Sequence, residues 1–162
     1  MSSLPSWLPD LVSVDGVWDD TVTRLYAIFV TDIKDGKPRL NRAQVWWDRT
    51  KLGGEKYEEG FWHLVTKDNE KVDERLPDFR RAERLSWCRA CIDNCSDRAI
   101  LFWDYKVAKR IETYIWLKDH DYVLVFKKLN KSWGTVYFLL TAFYVDGDSS
   151  RRSLTRKYND KL

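Results

Sequence analysis

The sequence is short of the residues on which most enzyme chemistry depends. It has two histidines, His63 and His120, and three cysteines. The cysteines are odd in number and bunched at 88, 91 and 95, which excludes the spaced framework of a disulfide-stapled secreted domain. Its seven glycines and four prolines form no Gly/Ser linker, and there is no low-complexity tract or internal repeat. No run approaches the roughly 20 apolar residues that a bilayer span needs. Residues Met1 to Pro9 lack the basic start and apolar stretch of a secretory signal. A cytoplasmic protein without membrane contact is the expectation. A Walker loop, G-x-G-x-x-G, H-E-x-x-H and G-x-S-x-G are all missing, which removes the common nucleotide, zinc-protease and α/β-hydrolase readings.

What the chain does have is aromatic and basic. Nine Trp, eight Tyr and seven Phe occur in 162 residues, enough apolar area for a core and also a fit to base stacking. Net charge is only +3, but it is unevenly spread. Residues 1–36 hold six Asp against Arg24 and Lys34, whereas the last fifteen hold Arg151, Arg152, Arg156, Lys157 and Lys161 against Asp148 and Asp160. The length suits one domain, 1–162, with 1–16 as an extended lead-in.

Arg24 to Ile33, rich in β-branched and aromatic residues, reads as a strand ending at the turn Lys34–Pro38. Arg39 to Trp47 reads as a second strand and Gly60 to Thr66 as a third. From Pro77, the spacing of Phe79, Ala82, Leu85, Cys88, Cys91 and Cys95 predicts an amphipathic helix. Four β-rich runs follow, Ala99–Tyr105, Ile111–Leu117, Tyr122–Lys128 and Thr135–Val145, joined by connections short enough only for antiparallel neighbours. The last should be a central strand covered on both faces. A basic helix with Leu154, Tyr158 and Leu162 on one face closes the chain. The expected class is α+β: an antiparallel sheet, a four-stranded C-terminal meander, with helices packed on it.

His63 can exchange a proton near neutral pH, which suits RNA transesterification; the alternative is a His filling a pocket beside Trp62. His120, flanked by Asp119 and Asp121, reads as a solvated turn residue. Cys88, Cys91 and Cys95 share the apolar stripe of the helix and read as packing residues rather than metal ligands, so no metal is expected. Arg80, Arg81 and Arg84 are a phosphate clamp or a solvated face. Thr141 needs a hydrogen-bond partner in so apolar a strand, and the backbone could supply it. Lys106, Lys109 and Arg110, and Arg151, Arg152, Arg156 and Lys157, form two groups that could follow a phosphate backbone or simply be solvated.

Four blocks occur in order: Gly60-Phe61-Trp62-His63-Leu64-Val65-Thr66-Lys67-Asp68, Leu76-Pro77-Asp78-Phe79-Arg80-Arg81-Ala82-Glu83-Arg84-Leu85-Ser86-Trp87, Asp121-Tyr122-Val123-Leu124-Val125-Phe126, and Leu139-Leu140-Thr141-Ala142-Phe143-Tyr144-Val145 with Ser150-Arg151-Arg152. Together they resemble the phage-associated members of the barnase–EndoU–colicin E5/D–RelE-like (BECR) ribonuclease toxin group, over about residues 24–160. The resemblance implies an antiparallel sheet with helices on one side and a cleft that cleaves RNA as a hydrolase without a cofactor. It makes His63 the general acid/base, Arg81 and Arg84 phosphate clamps, and Thr141 and Tyr144 phosphate or oxyanion donors. Arg80, Lys106, Arg110, Arg151 and Arg152 would bind substrate. RNA is the expected partner, with an antitoxin or immunity protein as a second; a non-catalytic nucleic-acid- or protein-binding module of the same fold is the alternative. The cysteines lie outside the family pattern.

Overall fold

The stretch expected as the first strand is a helix. Asp19 and Asp20 occupy its first turn, where negative charge suits the helix dipole, and Val22, Leu25, Phe29 and Ile33 recur every three or four residues. Burial of that stripe outweighs the β-propensity of the individual residues. A computed structural model describes residues 3–69 and 74–162; the first two residues of the lead-in lie outside it. In it α1 spans Trp18–Phe29 and continues into a π-helical turn, Val30–Lys34. Short strands β1 (Arg39–Leu40) and β2 (Ala43–Trp47) follow.

The segment around His63 is also a helix, α2 (Glu59–Val65), rather than a strand. Phe61, Leu64 and Val65 are fully buried at helical spacing. Gly60 is needed here: a Cβ on it would lie 2.9 Å from the Asp48 carbonyl oxygen and from the Trp47 ring, so only glycine lets α2 approach the end of β2. A small antiparallel pair comes next, β3 (Thr66–Asn69) with β4 (Glu74–Pro77). The predicted long helix is two, α3 (Phe79–Glu83), capped by the Asp78 carboxylate on the Arg81 N–H, and α4 (Leu85–Asp93). Cys88 and Cys91 lie on α4 and Cys95 just past its end; all three are buried, as packing residues should be.

The rest of the chain is β5 (Ile100–Val107), β6 (Arg110–Leu117), β7 (Tyr122–Lys131), β8 (Gly134–Tyr144) and α5 (Asp148–Asn159). The fold is α+β, but its sheet is not the four-stranded antiparallel meander expected. It has six strands in the order β1-β2-β8-β7-β6-β5 and is mixed. β5 to β8 pair antiparallel in succession, while β2 joins parallel to β8, with Gln44 opposite Val136 and Trp47 opposite Leu139. A parallel neighbour this remote in sequence leaves no short-turn signature to read.

Helices cover both faces, not one. α1, α2, α3 and α4 enclose the main core with Ile115, Leu117, Tyr122, Leu124 and Phe126. On the other face Leu154 and Tyr158 of α5 pack on Trp103, Tyr114, Trp116 and Val123. β8 carries a β-bulge: Phe126 pairs with Leu139 and Val125 with Thr141, so Leu140 is the extra residue. The bulge lets Leu139 and Ala142, three apart, face the same core. β2 pairs only as far as Leu139, so beyond the bulge the outer edge of β8 is met by α2 and α3 instead of a strand.

Candidate active site at the open edge of β8

Three residues far apart in sequence meet at that edge. Arg81 donates through Nη1 to the His63 carbonyl at 3.1 Å, the Thr66 carbonyl at 2.8 Å and Thr141 Oγ1 at 3.3 Å. Thr141 Oγ1 itself donates to the His63 carbonyl at 3.0 Å. These bonds satisfy carbonyls that the C-terminal end of α2 would otherwise leave unpaired. Arg81 Nε lies 3.1 Å from Asp78 Oδ2, which fixes the guanidinium from the other side. The backbone partner anticipated for Thr141 is therefore present, and it belongs to His63.

The His63 side chain is half-buried, and among the described residues no hydrogen bond holds its imidazole. Flanking Arg81 in sequence, Arg80 and Arg84 form a layer of guanidinium groups on aromatic rings. Arg84 is centred 4.4 Å from the Tyr144 ring and 5.1 Å from Trp87; Arg80 is 5.4 Å from Tyr144. Arg84 also donates to Glu83 at 2.6 Å and to the Arg80 carbonyl, and only a tenth of its side chain is exposed. Arg80 is the open one of the three, with 67% of its side chain exposed.

Tyr122 is the residue that sequence reading passed over. It is fully buried under this layer, its ring edge-on to Trp87 at 5.8 Å, with no hydrogen-bond partner for its hydroxyl among the described residues. Burial raises its pKa well above the ordinary value, and Cys88 and Cys91 push the same way against the pull of Arg81 and Arg84. A Tyr in an apolar strand carries no signal that distinguishes it from core.

The other predicted basic residues divide between the two ends of β8. Arg151 lies near the Tyr144 end and is engaged: it grips Asp121 through two bonds, 2.9 and 2.7 Å, and Asp148 at 3.0 Å. Arg152 beside it is exposed. Lys106 and Arg110 lie at the β5–β6 turn, at the opposite end of the sheet, where Arg110 pairs with Glu112 at 2.6 Å. His120 is half-buried in the single turn Lys118–His120 and lines a hollow together with Ser3–Trp7 of the lead-in.

A second polar network was also missed. Glu58 Oε2 takes the Lys34 ammonium at 2.9 Å and Glu58 Oε1 the Tyr26 hydroxyl at 2.8 Å. Burial works to raise the Glu58 pKa, but the bonds from Lys34 and Tyr26 outweigh it and hold the carboxyl below its ordinary value. The bond to Glu58 and that to Tyr26 raise Lys34. Glu58 sits just before α2, so this network fixes where that helix starts.

Among the described residues no helix is long and apolar enough to cross a membrane. No protein-family model, curated protein or solved structure matches the chain.

Proposed function

We propose that the protein is a metal-independent endoribonuclease of the toxin type, from a phage or mobile element, on a BECR-like fold. One observation carries the reading: the His63 backbone carbonyl, Arg81 and Thr141, from three separate segments, are hydrogen-bonded together at the strand-free edge of β8, and Arg80 and Arg84, the neighbours of Arg81, lie over Tyr144. In the reaction a ribose O2′ bonds to the adjacent phosphorus and the P–O5′ bond breaks. One proton leaves O2′ and one is delivered to O5′. His63 carries one of these transfers. Arg80 and Tyr144 face the non-bridging oxygens and offset their growing charge. Arg81 and Thr141 act as positioning residues, because their donors hold the end of α2 that presents the imidazole. Arg84 supports the Tyr144 ring. Arg151 and Arg152 extend the basic surface from this end, and Lys106 and Arg110 from the other. An antitoxin or immunity protein would silence the enzyme by covering this edge.

A second reading, a binding module of the same fold, is favoured by the internal contacts that occupy Arg81 and Arg84. Incubation with total RNA or tRNA in EDTA separates the two. Wild type should cleave, and His63→Ala should lose about 10²–10⁴-fold in rate with circular dichroism and melting temperature little changed. His120→Ala should be nearly silent. RNA that is bound by wild type but never cut favours the binding module.

A further inference from the structure

The end of β8 away from His63 carries a different surface. The β1–β2 hairpin and the β7–β8 turn lie side by side there, and two hollows of about 270 and 380 Å³ open on either side of the start of β2. Both are lined by Arg39 and Gln44; Lys37 and Arg49 line one and Arg42 the other, and among the described residues no carboxylate lines either. Two indoles stand between the cations. Trp46 is half-buried on β2 and Trp133 is 61% exposed, with ring centroids 6.4 Å apart. Lys131 lies 5.5 Å above the Trp46 ring. Trp46 Nε1 is satisfied by Gln44 at 3.1 Å, so its orientation is fixed before anything binds.

The backbone adds an independent observation. The two-residue hairpin turn is Asn41-Arg42, and both residues have positive φ, 48° and 72°. Glycine is the favoured second residue of such a turn, because a Cβ there is crowded. An arginine kept in that conformation, with Lys37 at φ 45° close by, places cations where the fold alone would favour glycine.

We infer that this surface binds single-stranded nucleic acid, with bases stacked on Trp133 and Trp46 and the phosphates following Arg39, Arg42 and Lys131. An exposed and a half-buried indole interleaved with cations that no described carboxylate opposes are what a single strand needs; a duplex keeps its base faces covered, and acidic side chains carry no rings to stack. The inference goes beyond the cleavage reading and does not depend on it, since oligothymidylate has no 2′-hydroxyl and binding can be measured without a cut.

The test is fluorescence anisotropy of labelled oligothymidylate and oligouridylate over a salt series. Wild type should bind both, and Trp133→Ala should weaken binding about tenfold. Arg42→Gly relieves the turn while removing a cation. It should keep or raise the melting temperature, yet weaken binding and flatten the slope of log affinity against log salt by about 0.7. His120→Ala should bind like wild type. Equal affinity of wild type and both surface variants would overturn the inference, as would tighter binding to duplex DNA or to polyglutamate than to the single strands. Binding of oligouridylate alone would restrict the surface to RNA.

Discussion

At the scale of single residues, the chain uses Arg81 and Thr141 as a clasp on the last turn of α2. Thr141→Val keeps the shape and removes a donor, leaving the His63 carbonyl with Arg81 alone. The expected cost is about 1 kcal/mol, read as a drop of about 2–4 °C in melting temperature. Arg81→Met takes donors from two carbonyls at once and should cost about 2 kcal/mol or more. The Glu58 network makes a different, pH-dependent prediction. Because the Glu58 pKa is depressed on folding, its contribution is present above the ordinary glutamate range and is lost as pH falls through the lower folded value. Glu58→Gln should melt lower than wild type at neutral pH, and the gap should close on acidification. Parallel melting curves of the two proteins from pH 7 down to pH 2 check this; a constant gap would refute it.

At the scale of elements, helix α4 stores its thiols deep in the core. Burial pushes the Cys91 thiol up to about 12 and Cys88 higher still, with Cys91 and Asp32 adding to the effect on Cys88. Neither Cys88 nor Cys91 should react with a thiol reagent at pH 8 in native protein, and both should react after unfolding in guanidinium. Leu154, 5% exposed, is the main apolar anchor of α5 on the outer sheet face. Leu154→Ala should cost about 2–4 kcal/mol by urea denaturation. These elements also mark how far the sequence could be read. The cysteine stripe and the strands after residue 99 were legible, because period and short turns are local signals. Residues 24–33 and 60–66 misled because Tyr, Phe, Val and Ile favour strands one at a time. The three-and-four spacing of Leu25, Phe29 and Ile33, and of Phe61, Leu64 and Val65, was present but lay under that composition. The bulge at Leu140, which sets the phase of Thr141 against the core, is defined by the partner strand and has no local mark.

At the scale of the whole molecule, β8 links two surfaces. Gly134 and Thr141 are separated by seven residues, roughly 23 Å along a strand. The candidate site residues His63, Arg81 and Thr141 were legible as chemistry-bearing types, but their meeting was not, since it depends on α2 and α3 crossing one strand edge. The basic hairpin at Arg39–Arg42 went unread because its aromatic partner, Trp133, is about ninety residues away in a chain whose local patterns reach only a few residues. If both surfaces serve one RNA, Trp133→Ala should slow cleavage of long RNA while leaving a dinucleotide substrate untouched. Unchanged cleavage of both substrates would separate the surfaces functionally.

The parallel seam between β2 and β8 has a consequence for how the chain reaches this state. β5 to β8 close through tight local turns, at little entropic cost, whereas Gln44 must wait for Val136 across an intervening loop of some ninety residues. During synthesis the tryptophan-bearing β2 leaves the ribosome long before its partner exists. Folding should therefore begin in the C-terminal hairpins and finish when β2 docks. Val45, which faces Tyr137 across the seam, then contributes after the rate-limiting barrier. Val45→Ala should speed unfolding in stopped-flow experiments and leave the refolding rate nearly unchanged, whereas Leu124→Ala in β7 should slow refolding. The reverse pattern would place the seam in the nucleus.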